Sequence, residues 1–445
     1  MNKEVKVVKK KRKLNWQKIF NLISFTFILA CIIFYGTRFI RLYLQNNKKE
    51  EIKVLADNIK DNNEGNLKNI NSDYYFTGKE VNNYVKYSNI LFRIIKINKD
   101  NSITLISDKP ITSLAKGDNN DYKTSYINNW LNNQDKENTG ILEKNLNNPN
   151  KYLTYTNACN DKIDNTKNIT CKSTLADTLI TLPSLYDYIN TGDTKSFMNN
   201  ETYYYLLNTN KDNKTWYIND NGGVTTSDNT DILGIKPVIT LKSTNKLING
   251  DGTKDNPYTF EEEQSILGSY VKLGNDTWRV YDIDDNNLKL SLDNYLKINN
   301  EEITYKYSDK GYYHNDGKQG TLAYYLNKNY LSKLTYSSNI IEANYANGIY
   351  SNTTNYDYTK VLNKTIPTKV ATLSIGNIII NSDNTNYYLS TGVDTNSNLV
   401  YVMTNDFKLY TKNATSKLKI VPVITIDKKI LTNGDGSQNS PLEAK

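Results

Sequence analysis

Histidine is almost missing from this chain, whose 445 residues include a single one, His314. Most catalytic triads, zinc sites and acid–base pairs depend on histidine, so these classes are largely excluded. A lone histidine in a polar loop is more often solvated than functional. The sequence also has no phosphate-binding P-loop, no dinucleotide-binding glycine pattern and no cysteine beside a candidate base. The motifs of these enzyme classes are therefore absent from the sequence.

Cysteine is scarce as well, with three residues in the whole chain. Cys31 falls in an apolar segment near the amino terminus, whereas Cys159 and Cys171 flank the polar segment 160–170. In an oxidising compartment this pair would form a disulfide that stabilises the folded state by about 2–3 kcal/mol. The alternative is two free thiols in a flexible insertion. The second half of the chain has no cysteine, so the bridge cannot be essential to the fold.

The chain contains an internal duplication. Residues 237–258 (PVITLKSTNKLINGDGTKDNPY) match residues 422–442 (PVITIDKKILTNGDGSQNSPL), and residues 84–107 match residues 270–292. The offset of about 185 residues is too long for a solenoid unit and suits a whole domain. In the second pair of segments, apolar runs enclose an Asn/Asp turn, which predicts a β-hairpin.

Two further pairs of segments complete the predicted domain. Residues 126–133 match residues 321–328, with apolar residues at i, i+3 and i+4 that predict the buried side of a short helix. Residues 202–207 match residues 385–390 and are predicted to form a strand. We therefore predict an α+β fold, in which an N-terminal transmembrane helix precedes two tandem, β-rich domains.

The amino-terminal region predicts a membrane anchor. We expect the basic segment 1–18 in the cytoplasm, the apolar segment 19–43 across the membrane, and the polar segment 44–72 as a stalk or linker. Repeat domains 1 (73–262) and 2 (263–445) would then be extracellular, on a single-pass protein of the cell membrane. A cleaved signal peptide and a lipoprotein signal are the weaker alternatives.

The positive charge of the chain belongs to this anchor. Residues 1–41 contain ten lysines and arginines against one acid, while the whole chain has a formal net charge of +8. The remainder is therefore close to neutral. A nucleic-acid-binding protein would carry its positive charge on the folded domain. We expect the membrane as a partner, and no nucleic acid.

An Asn-Gly-Asp-Gly motif recurs near the end of each copy. Asn249, Asp251 and Asp255 alternate as the ligands of a calcium loop do. Calcium requires 6–8 oxygen ligands, and Phe260 stands where an EF-hand has its bidentate glutamate. Glycine and Asx residues in this order also make a tight turn. We favour the turn and expect no cofactor, with calcium as the alternative.

Two arginines recur beside an aromatic residue, Arg93 in the first copy and Arg279 in the second. They could bind an anionic ligand. Alternatively, each could pair with a carboxylate or stack on a ring such as Trp278. Their presence in both copies favours the structural role.

Tyrosine is abundant, with 36 residues. In strands it is a good β-former, and clusters inside the repeated segments are predicted to be core. On a surface it offers contact area for glycans and peptides with little loss of entropy. Tyr312 and Tyr313 lie in a loop that the copies do not share, so we predict them as ligand contacts.

Four motifs resemble a family of uncharacterised extracellular domains of Gram-positive bacteria and mollicute relatives. They are FRII and WRVY, INNWLN and LAYYLN, YYL in both copies, and GIKPVIT with KIVPVIT. Copy 2 departs from the closing pattern, with Lys419 in place of Gly234 and Val421 in place of Lys236. The order LPSLYDY, TWYIND, LGIKPVI is more distantly similar to formylglycine-generating-enzyme-type domains, which implies a C-type-lectin-like fold. The catalytic cysteines of that enzyme have no counterpart.

The sequence favours a membrane-anchored cell-surface protein with two tandem modules that bind a glycan, the cell wall or a protein, without catalysis. Two tethered copies would raise avidity if both bound one surface. One alternative is a cell-envelope enzyme that acts on wall polymer or glycan through carboxylates. It predicts a cluster of acids in a cleft of one copy that the other copy lacks. Another alternative is an inert structural component of an envelope complex.

Overall fold

Strands outnumber helices in the computed structural model of the protein, with 34% of the residues in strands and 21% in helices. The fold is therefore β-rich α+β, as the sequence predicts. The chain divides into two compact units, of which the first ends at Ile52 and the second begins at Lys53. The structure describes residues 16–46, 54–117, 121–133, 139–310, 317–351, 356–380, 386–394 and 397–444.

The helices are short, with the exception of the first one. They are α1 (Trp16–Asn46), α2 (Leu55–Asn62), α3 (Tyr126–Leu131), α4 (Ile141–Asn145), α5 (Pro149–Tyr152), α6 (Leu185–Asn190), α7 (Leu322–Tyr324, continued by a π-helix over Tyr325–Tyr330) and α8 (Tyr358–Asn363). Single 3₁₀ turns lie at Glu64–Asn66, Tyr122–Thr124, Asp193–Lys195, Leu331–Lys333, Ser337–Asn339 and Lys428–Ile430.

Helix α1 contains the predicted membrane segment 19–43. Within the described ranges, the structure has no helix with both the length and the apolar character that crossing a membrane requires. Residues 1–15 and 47–53, which belong to the expected tail and stalk, lie outside the described residues.

The strands of the second unit fall into two sets, and we call residues 54–262 repeat 1 and residues 263–444 repeat 2. Repeat 1 contains β1 (Leu67–Ile70), β2 (Asp73–Phe76), β3 (Tyr84–Tyr87), β4 (Ile90–Ile97), β5 (Ile103–Ser107), β6 (Ser113–Leu114), β7 (Leu153–Thr154), β8 (Tyr204–Thr209), β9 (Thr215–Ile218), β10 (Val224–Ser227), β11 (Leu233–Gly234), β12 (Val238–Leu241), β13 (Leu247–Asn249) and β14 (Thr259–Phe260). Repeat 2 contains β15 (Tyr270–Leu273), β16 (Asp276–Asp284), β17 (Asn287–Leu292), β18 (Lys297–Ile298), β19 (Glu301–Glu302), β20 (Thr304–Lys306), β21 (Ala343–Ala346), β22 (Thr365–Thr368), β23 (Val370–Thr372), β24 (Tyr387–Gly392), β25 (Leu399–Met403), β26 (Tyr410–Asn413), β27 (Lys417–Lys419), β28 (Pro422–Asp427), β29 (Leu431–Asn433) and β30 (Leu442–Ala444).

Each repeat has a five-stranded sheet with the same topology. Its strand order is β10-β9-β8-β11-β6 in repeat 1 and β26-β25-β24-β27-β20 in repeat 2. One pair in each sheet is parallel: β8 meets β11 at Tyr204 and Gly234, and β24 meets β27 at Tyr387 and Lys419. The duplication seen in the sequence is thus also present in the strand order.

The larger sheets share an antiparallel centre, β3-β4-β5-β12 in repeat 1 and β15-β16-β17-β28 in repeat 2. The register shifts between Ile94 and Lys96 in β4, and between Val280 and Asp282 in β16. A shift of this kind is a β-bulge, which bends a strand and re-aims its side chains. Lys96 and Asp282 therefore occupy equivalent positions just after a bulge.

The second half of each bulged strand lies beyond the reach of β3 or β15 and has a different partner in each repeat. In repeat 1, β2 pairs with it, with Tyr75 opposite Lys96. In repeat 2, Asn145 at the end of α4 covers it, because Ile283 N donates to Asn145 Oδ1 at 2.9 Å and Asn145 Nδ2 donates to Asp282 Oδ1 at 3.2 Å. Repeat 1 thus supplies the cover for the sheet of repeat 2.

The carboxyl-terminal part of the expected stalk belongs to the folded unit. Leu55, Ala56 and Ile59 of α2 are buried, and β1 pairs with β2 along its whole length. The difference arises because the few apolar residues of this segment lie on one face of α2. An amphipathic helix of this kind buries that face against a core.

The two repeats are joined through a common core. One apolar cluster contains side chains from both, including Trp130 of repeat 1 and Tyr350 of repeat 2. Trp130 is 0% exposed, and its Nε1 donates to Gly376 O at 2.8 Å. Ala115 N donates to Tyr350 Oη at 2.9 Å. The boundary expected at 262/263 therefore separates two repeats of one unit.

Replacing Trp130 with phenylalanine should lower the free energy of unfolding by about 1–3 kcal/mol, because the Gly376 carbonyl loses its donor and the core loses volume. Chemical denaturation followed by circular dichroism measures this loss. Trp216→Phe is the matched control, since Trp216 Nε1 donates to Ile163 O at 2.8 Å within repeat 1. If the repeats unfold together, both variants shift a single transition. A separate, unshifted transition of repeat 2 in Trp130→Phe would contradict the common core.

Candidate functional site

A cavity of about 500 Å³ opens in repeat 1 beside the bulged strand. We call it the repeat-1 cavity. Its walls come from β2, from the second half of β4, from β5 and β12, and from two loop segments, 154–159 and 171–174. Six of the side chains that line it carry most of its chemistry: Asp73, Tyr75, Lys96, Thr104, Asp187 and Thr240.

Lys96 is the centre of an ion-pair cluster in this cavity. Its Nζ donates to Asp73 Oδ2 at 3.0 Å and to Tyr75 Oη at 3.1 Å, and lies 3.9 Å from Asp187 Oδ1. The side chain of Lys96 is 14% exposed and that of Asp187 is 5% exposed. The cluster is thus largely removed from water and is held together by opposite charges.

Helix α6 fixes the position of Asp187. Asp187 N donates to Ser184 Oγ at 3.0 Å, and Ser184 Oγ donates to Asp187 Oδ2 at 2.6 Å. This reciprocal arrangement resembles a capping box and defines the start of the helix. Because Tyr75 Oη donates to Asp187 Oδ1 at 3.0 Å, both carboxylate oxygens have a donor. The carboxylate is therefore anchored before any ligand arrives.

The charges of the cluster determine its protonation. Burial alone lowers the pKa of Lys96, but the carboxylates of Asp187 and Asp73 more than offset this and raise the pKa overall. Burial, followed by the negative charge of Asp187, raises the pKa of Tyr75. At neutral pH the cluster thus holds an ammonium and a neutral phenol, since both pKa values move away from neutrality. A protonated amine donates hydrogen bonds and is not a nucleophile.

A row of hydroxyl groups forms another wall of the cavity. Thr104 and Thr240 face each other across β5 and β12, with their Oγ1 atoms 3.3 Å apart. Thr156 Oγ1 lies 3.1 Å from Thr240 Oγ1, and Asn98 Nδ2 donates to Thr104 Oγ1 at 3.0 Å. This wall presents hydroxyl oxygens that can accept hydrogen bonds from a ligand, since the hydroxyl protons are engaged along the row and Thr156 Oγ1 donates to Leu179 O at 3.0 Å.

The equivalent place in repeat 2 is smaller and is lined in part by repeat 1. Asp282 takes the position of Lys96, and Lys289 takes that of Thr104, and the two form an ion pair at 2.8 Å. The cavity there measures about 190 Å³ and includes Ile141 and Lys144 of repeat 1 in its lining. The hydroxyl of Thr425, the counterpart of Thr240, lies 2.6 Å from Tyr345 Oη. The repeats therefore do not build equivalent cavities.

Arg93 makes structural contacts away from the repeat-1 cavity. Its guanidinium carbon lies 3.9 Å from the ring centroid of Tyr84, and its Nη1 lies 3.8 Å from Asp108 Oδ1. Its Nη2 donates to Val81 O at 3.1 Å. These partners correspond to the structural alternative for this arginine.

Arg279 repeats the arrangement in repeat 2. It lies 4.0 Å from the ring centroid of Tyr270 and 3.6 Å from Asp293 Oδ1. The ring on which it stacks is that of Tyr270, the counterpart of Tyr84, and not that of Trp278. An anionic ligand at either arginine stays a prediction.

The Asn-Gly-Asp-Gly segments hold β3 in repeat 1 and β15 in repeat 2. Tyr84 N donates to Gly252 O and Tyr270 N donates to Gly436 O, both at 2.9 Å. Gly252 has φ +81°, and a Cβ there would lie 2.5 Å from Asn82 O, so glycine is required. The motif is thus part of the architecture in both repeats.

The predicted calcium ligands act within this turn. Asp251 Oδ1 accepts hydrogen bonds from Thr253 N at 3.0 Å and from Thr253 Oγ1 at 2.7 Å. Asn249 Oδ1 accepts one from Gly250 N at 2.8 Å. Asp255 belongs to no group of three acidic, cysteine or histidine side chains that the structure brings within metal-binding distance among its described residues. These bonds are those of the predicted turn, and the calcium alternative stays a prediction.

The structure joins Cys159 and Cys171 in a disulfide, with a Cα–Cα distance of 5.6 Å. Both residues line the repeat-1 cavity. Asp161 stabilises the same loop, because its carboxylate accepts from Lys172 N at 2.7 Å and from Ser173 Oγ at 2.7 Å. The bridge therefore fixes one wall of the cavity.

The tyrosines predicted as ligand contacts, Tyr312 and Tyr313, lie outside the described residues.

Sequence reasoning did not identify the cluster of Lys96, Asp73, Tyr75 and Asp187. These residues are far apart in the chain, and two of them fall in the segment next to the expected stalk. One signal was present: the duplicated hairpins agree around the bulge but carry Lys96 in one copy and Asp282 in the other. A reversal of charge at one position of a repeat marks a change of environment.

Comparison with known proteins finds no family model, no curated protein and no solved structure that matches the chain. The function is therefore argued from the geometry and chemistry of the site.

A second buried lysine, Lys236, differs from Lys96 in the direction of its pKa shift. Lys236 is buried with its Nζ 4.8 Å from the ring centroid of Tyr204. Burial lowers its pKa to about 7; Asp108 opposes this shift and Arg93 adds to it. Among the described residues, Lys236 has no carboxylate in ion-pair contact of the kind that keeps Lys96 charged, and it weakens the fold wherever it must be protonated.

The pH dependence of stability should reveal this lysine. Between its folded pKa of about 7 and its ordinary value of 10.5, the unfolded chain binds a proton that the folded protein lacks. The contribution of Lys236 to stability therefore rises with pH in this window, and its penalty is fully present below about pH 7. Lys236→Met should stabilise the protein by a few kcal/mol at low pH and progressively less towards about pH 10.

Urea denaturation across this pH range measures the effect. Lys246→Met, which removes an exposed lysine of the same repeat, is the control and should leave the slope unchanged. An unaltered pH profile in Lys236→Met would show that the buried amine does not lose its proton in the folded state.

Proposed function

We propose that this chain is a membrane-anchored cell-surface binding protein whose repeat-1 cavity binds a neutral, hydroxyl-rich ligand, a saccharide. The observation that carries the proposal is the composition of the cavity. It combines a charged, hydrogen-bonding cluster around Lys96 with a wall of threonine hydroxyls, in a volume of about 500 Å³. A binding site is typically a concave, largely preformed space with a few convergent polar groups.

The charges in the cavity support a ligand without strong charge of its own. Lys96 faces two carboxylates, those of Asp73 and Asp187, so the cluster keeps one uncompensated negative charge that disfavours an anion, while its ammonium disfavours close approach by a cation. Sugar hydroxyls can accept hydrogen bonds from Lys96 Nζ and donate to the hydroxyl oxygens of Thr104 and Thr240. A saccharide is therefore the class that the lining favours.

Binding is favoured over catalysis by the protonation of the cluster. Lys96 is held as an ammonium, and both oxygens of Asp187 are already hydrogen-bonded. A general base requires a free acceptor beside the substrate. The enzyme alternative has one observation in its favour: Asp73 and Asp187 converge in a cleft of repeat 1, whereas the smaller cavity of repeat 2 has Asp282 as the one acid among its described lining residues.

The membrane anchor is part of the proposal and is supported by α1. Large apolar side chains along this helix are exposed, among them Phe20, Phe25, Phe27 and Phe34. Such a surface requires cover, and the basic residues before segment 19–43 favour a cytoplasmic amino terminus. In this proposal both repeats lie outside the cell, where the disulfide of repeat 1 would persist.

The division of the extracellular part into two tandem domains is also part of the proposal. The tandem-domain organisation is supported by the matching strand orders of the two repeats. The likeness to C-type-lectin-like domains stays a prediction.

Removal of the central cation tests the function. Lys96→Met should reduce saccharide binding at least about tenfold, because the cavity loses its ammonium donor and the carboxylates repel one another. Glycan-array screening with the detergent-solubilised full chain, followed by calorimetry on the best binder, measures the change. Melting temperature shows whether the variant is folded.

Lys289→Met provides the matched control, because it removes the lysine that lines the smaller cavity of repeat 2. It should bind the same saccharide as the unaltered protein. Absence of binding to every arrayed glycan would overturn the proposal. Hydrolysis of a bound glycan that Asp187→Asn abolishes would instead establish the enzyme alternative.

A further inference from the structure

We propose that the ligand is an oligosaccharide of at least two rings, which extends from the repeat-1 cavity across the ring of Tyr155 into a second cavity. This inference rests on the proposed function and specifies its ligand. The observation that supports it is the position of Tyr155, which lines both cavities and is 56% exposed.

The second cavity measures about 330 Å³, and we call it the asparagine cavity. Its lining is rich in carboxamides, which come from α3, from its carboxyl end and from α5: Asn128, Asn132, Asn133 and Asn150. Glu143 and Asp177 add carboxylates, and Lys123 adds one ammonium. Asn128 and Asn132 bond to one another and to the backbone, with Asn132 Nδ2 donating to Asn128 Oδ1 and Asn128 Nδ2 donating to Lys123 O, both at 2.8 Å. The exposed side chains of Asn133, Asn150 and Asp177 present planar amide and carboxylate groups, whose paired hydrogen-bonding atoms suit the adjacent hydroxyls of a sugar ring.

The backbone around Tyr155 keeps the tyrosine in place between the cavities. Leu153 and Thr154 form β7, which pairs with β12, and Thr156 N donates to Thr178 O at 2.8 Å. Thr156 Oγ1 donates to Leu179 O at 3.0 Å. The neighbours of Tyr155 are thus fixed on both sides, whereas its ring is left at the surface. An exposed aromatic ring held by a rigid backbone is a stacking platform with little entropy to lose on binding.

The two cavities differ from a peptide-binding groove. A peptide that adds to a sheet needs a free strand edge, and one that inserts anchors needs apolar pockets. The asparagine cavity contributes a single large apolar side chain, Leu179, among its lining residues. Polar walls on both sides of an aromatic ring fit instead a chain of rings, each with an apolar face and hydroxyls at its edge. An extended saccharide meets these requirements over both cavities.

A chain-length series tests the inference. The best binder from the array is compared as monosaccharide, disaccharide and tetrasaccharide, together with N-acetylglucosamine and glucose oligomers, by calorimetry on the full chain. The oligosaccharide should bind at least about tenfold more tightly than the monosaccharide. Tyr155→Ala should remove this advantage, so that the oligosaccharide binds no more tightly than the monosaccharide, while Tyr155→Phe should retain it because the ring remains.

Tyr410→Ala is the matched control, because Tyr410 is another exposed tyrosine (42%) that lines neither cavity. It should bind every oligomer as the unaltered protein does. Equal affinity for monosaccharide and oligosaccharide would overturn the inference and leave the proposed function intact. Failure to bind any saccharide would overturn both. Preferential binding of an extended peptide that depends on Tyr155 would replace the saccharide with a peptide.

Discussion

The second half of the bulged strand, β4 or β16, is not reached by the strand before it, β3 or β15. This edge of the bulged strand needs another partner, and the rest of the structure depends on how each repeat supplies it. Backbone groups at a sheet edge must be paired, covered or solvated. Repeat 1 covers its edge with β2, from the segment in front of the module. In the described part of repeat 2 no strand takes this place, and Asn145 of repeat 1 bonds to Ile283 instead. The first arrangement leaves a cavity of about 500 Å³, and the second places the repeats in contact.

The electrostatic difference between the repeats follows from these two covers. In repeat 1, the covering strand brings Asp73 and Tyr75 to the position after the bulge, where Lys96 pairs with the carboxylate of Asp73 and donates to the hydroxyl of Tyr75. In repeat 2, Asp282 at the same position accepts from Asn145 and pairs with Lys289 of the adjacent strand. The same backbone therefore carries opposite charges, each matched to the element that covers it. Buried charges persist only with such partners.

The elements that recur in the sequence were predictable, because they are local. The spacing of Ile127, Trp130 and Leu131 predicted a helix with one buried side, and all three are buried in α3. The matching hairpins predicted β4–β5 and β16–β17. What sequence could not supply was how the copies meet. From the sequence, a buried Trp130 is equally consistent with a helix that packs only on its own domain. The folded structure shows instead that its indole donates to Gly376 of the other repeat. The site depends on the same non-local information, since Asp73, Lys96 and Asp187 come together only when β2, β4 and α6 do.

The meeting of the repeats also changes how binding strength can arise. Two tethered modules gain avidity only if both can bind. Here the place equivalent to the repeat-1 cavity is narrowed by the contact with α4, and its lining includes Ile141 and Lys144. In the proposed function a second binding event therefore comes from a neighbouring site on repeat 1. The groove proposed to cross Tyr155 would be such a neighbour, because subsites on one rigid body bind connected rings without an additional loss of translational freedom. In this proposal duplication contributes stability through the common core, and affinity is left to one copy.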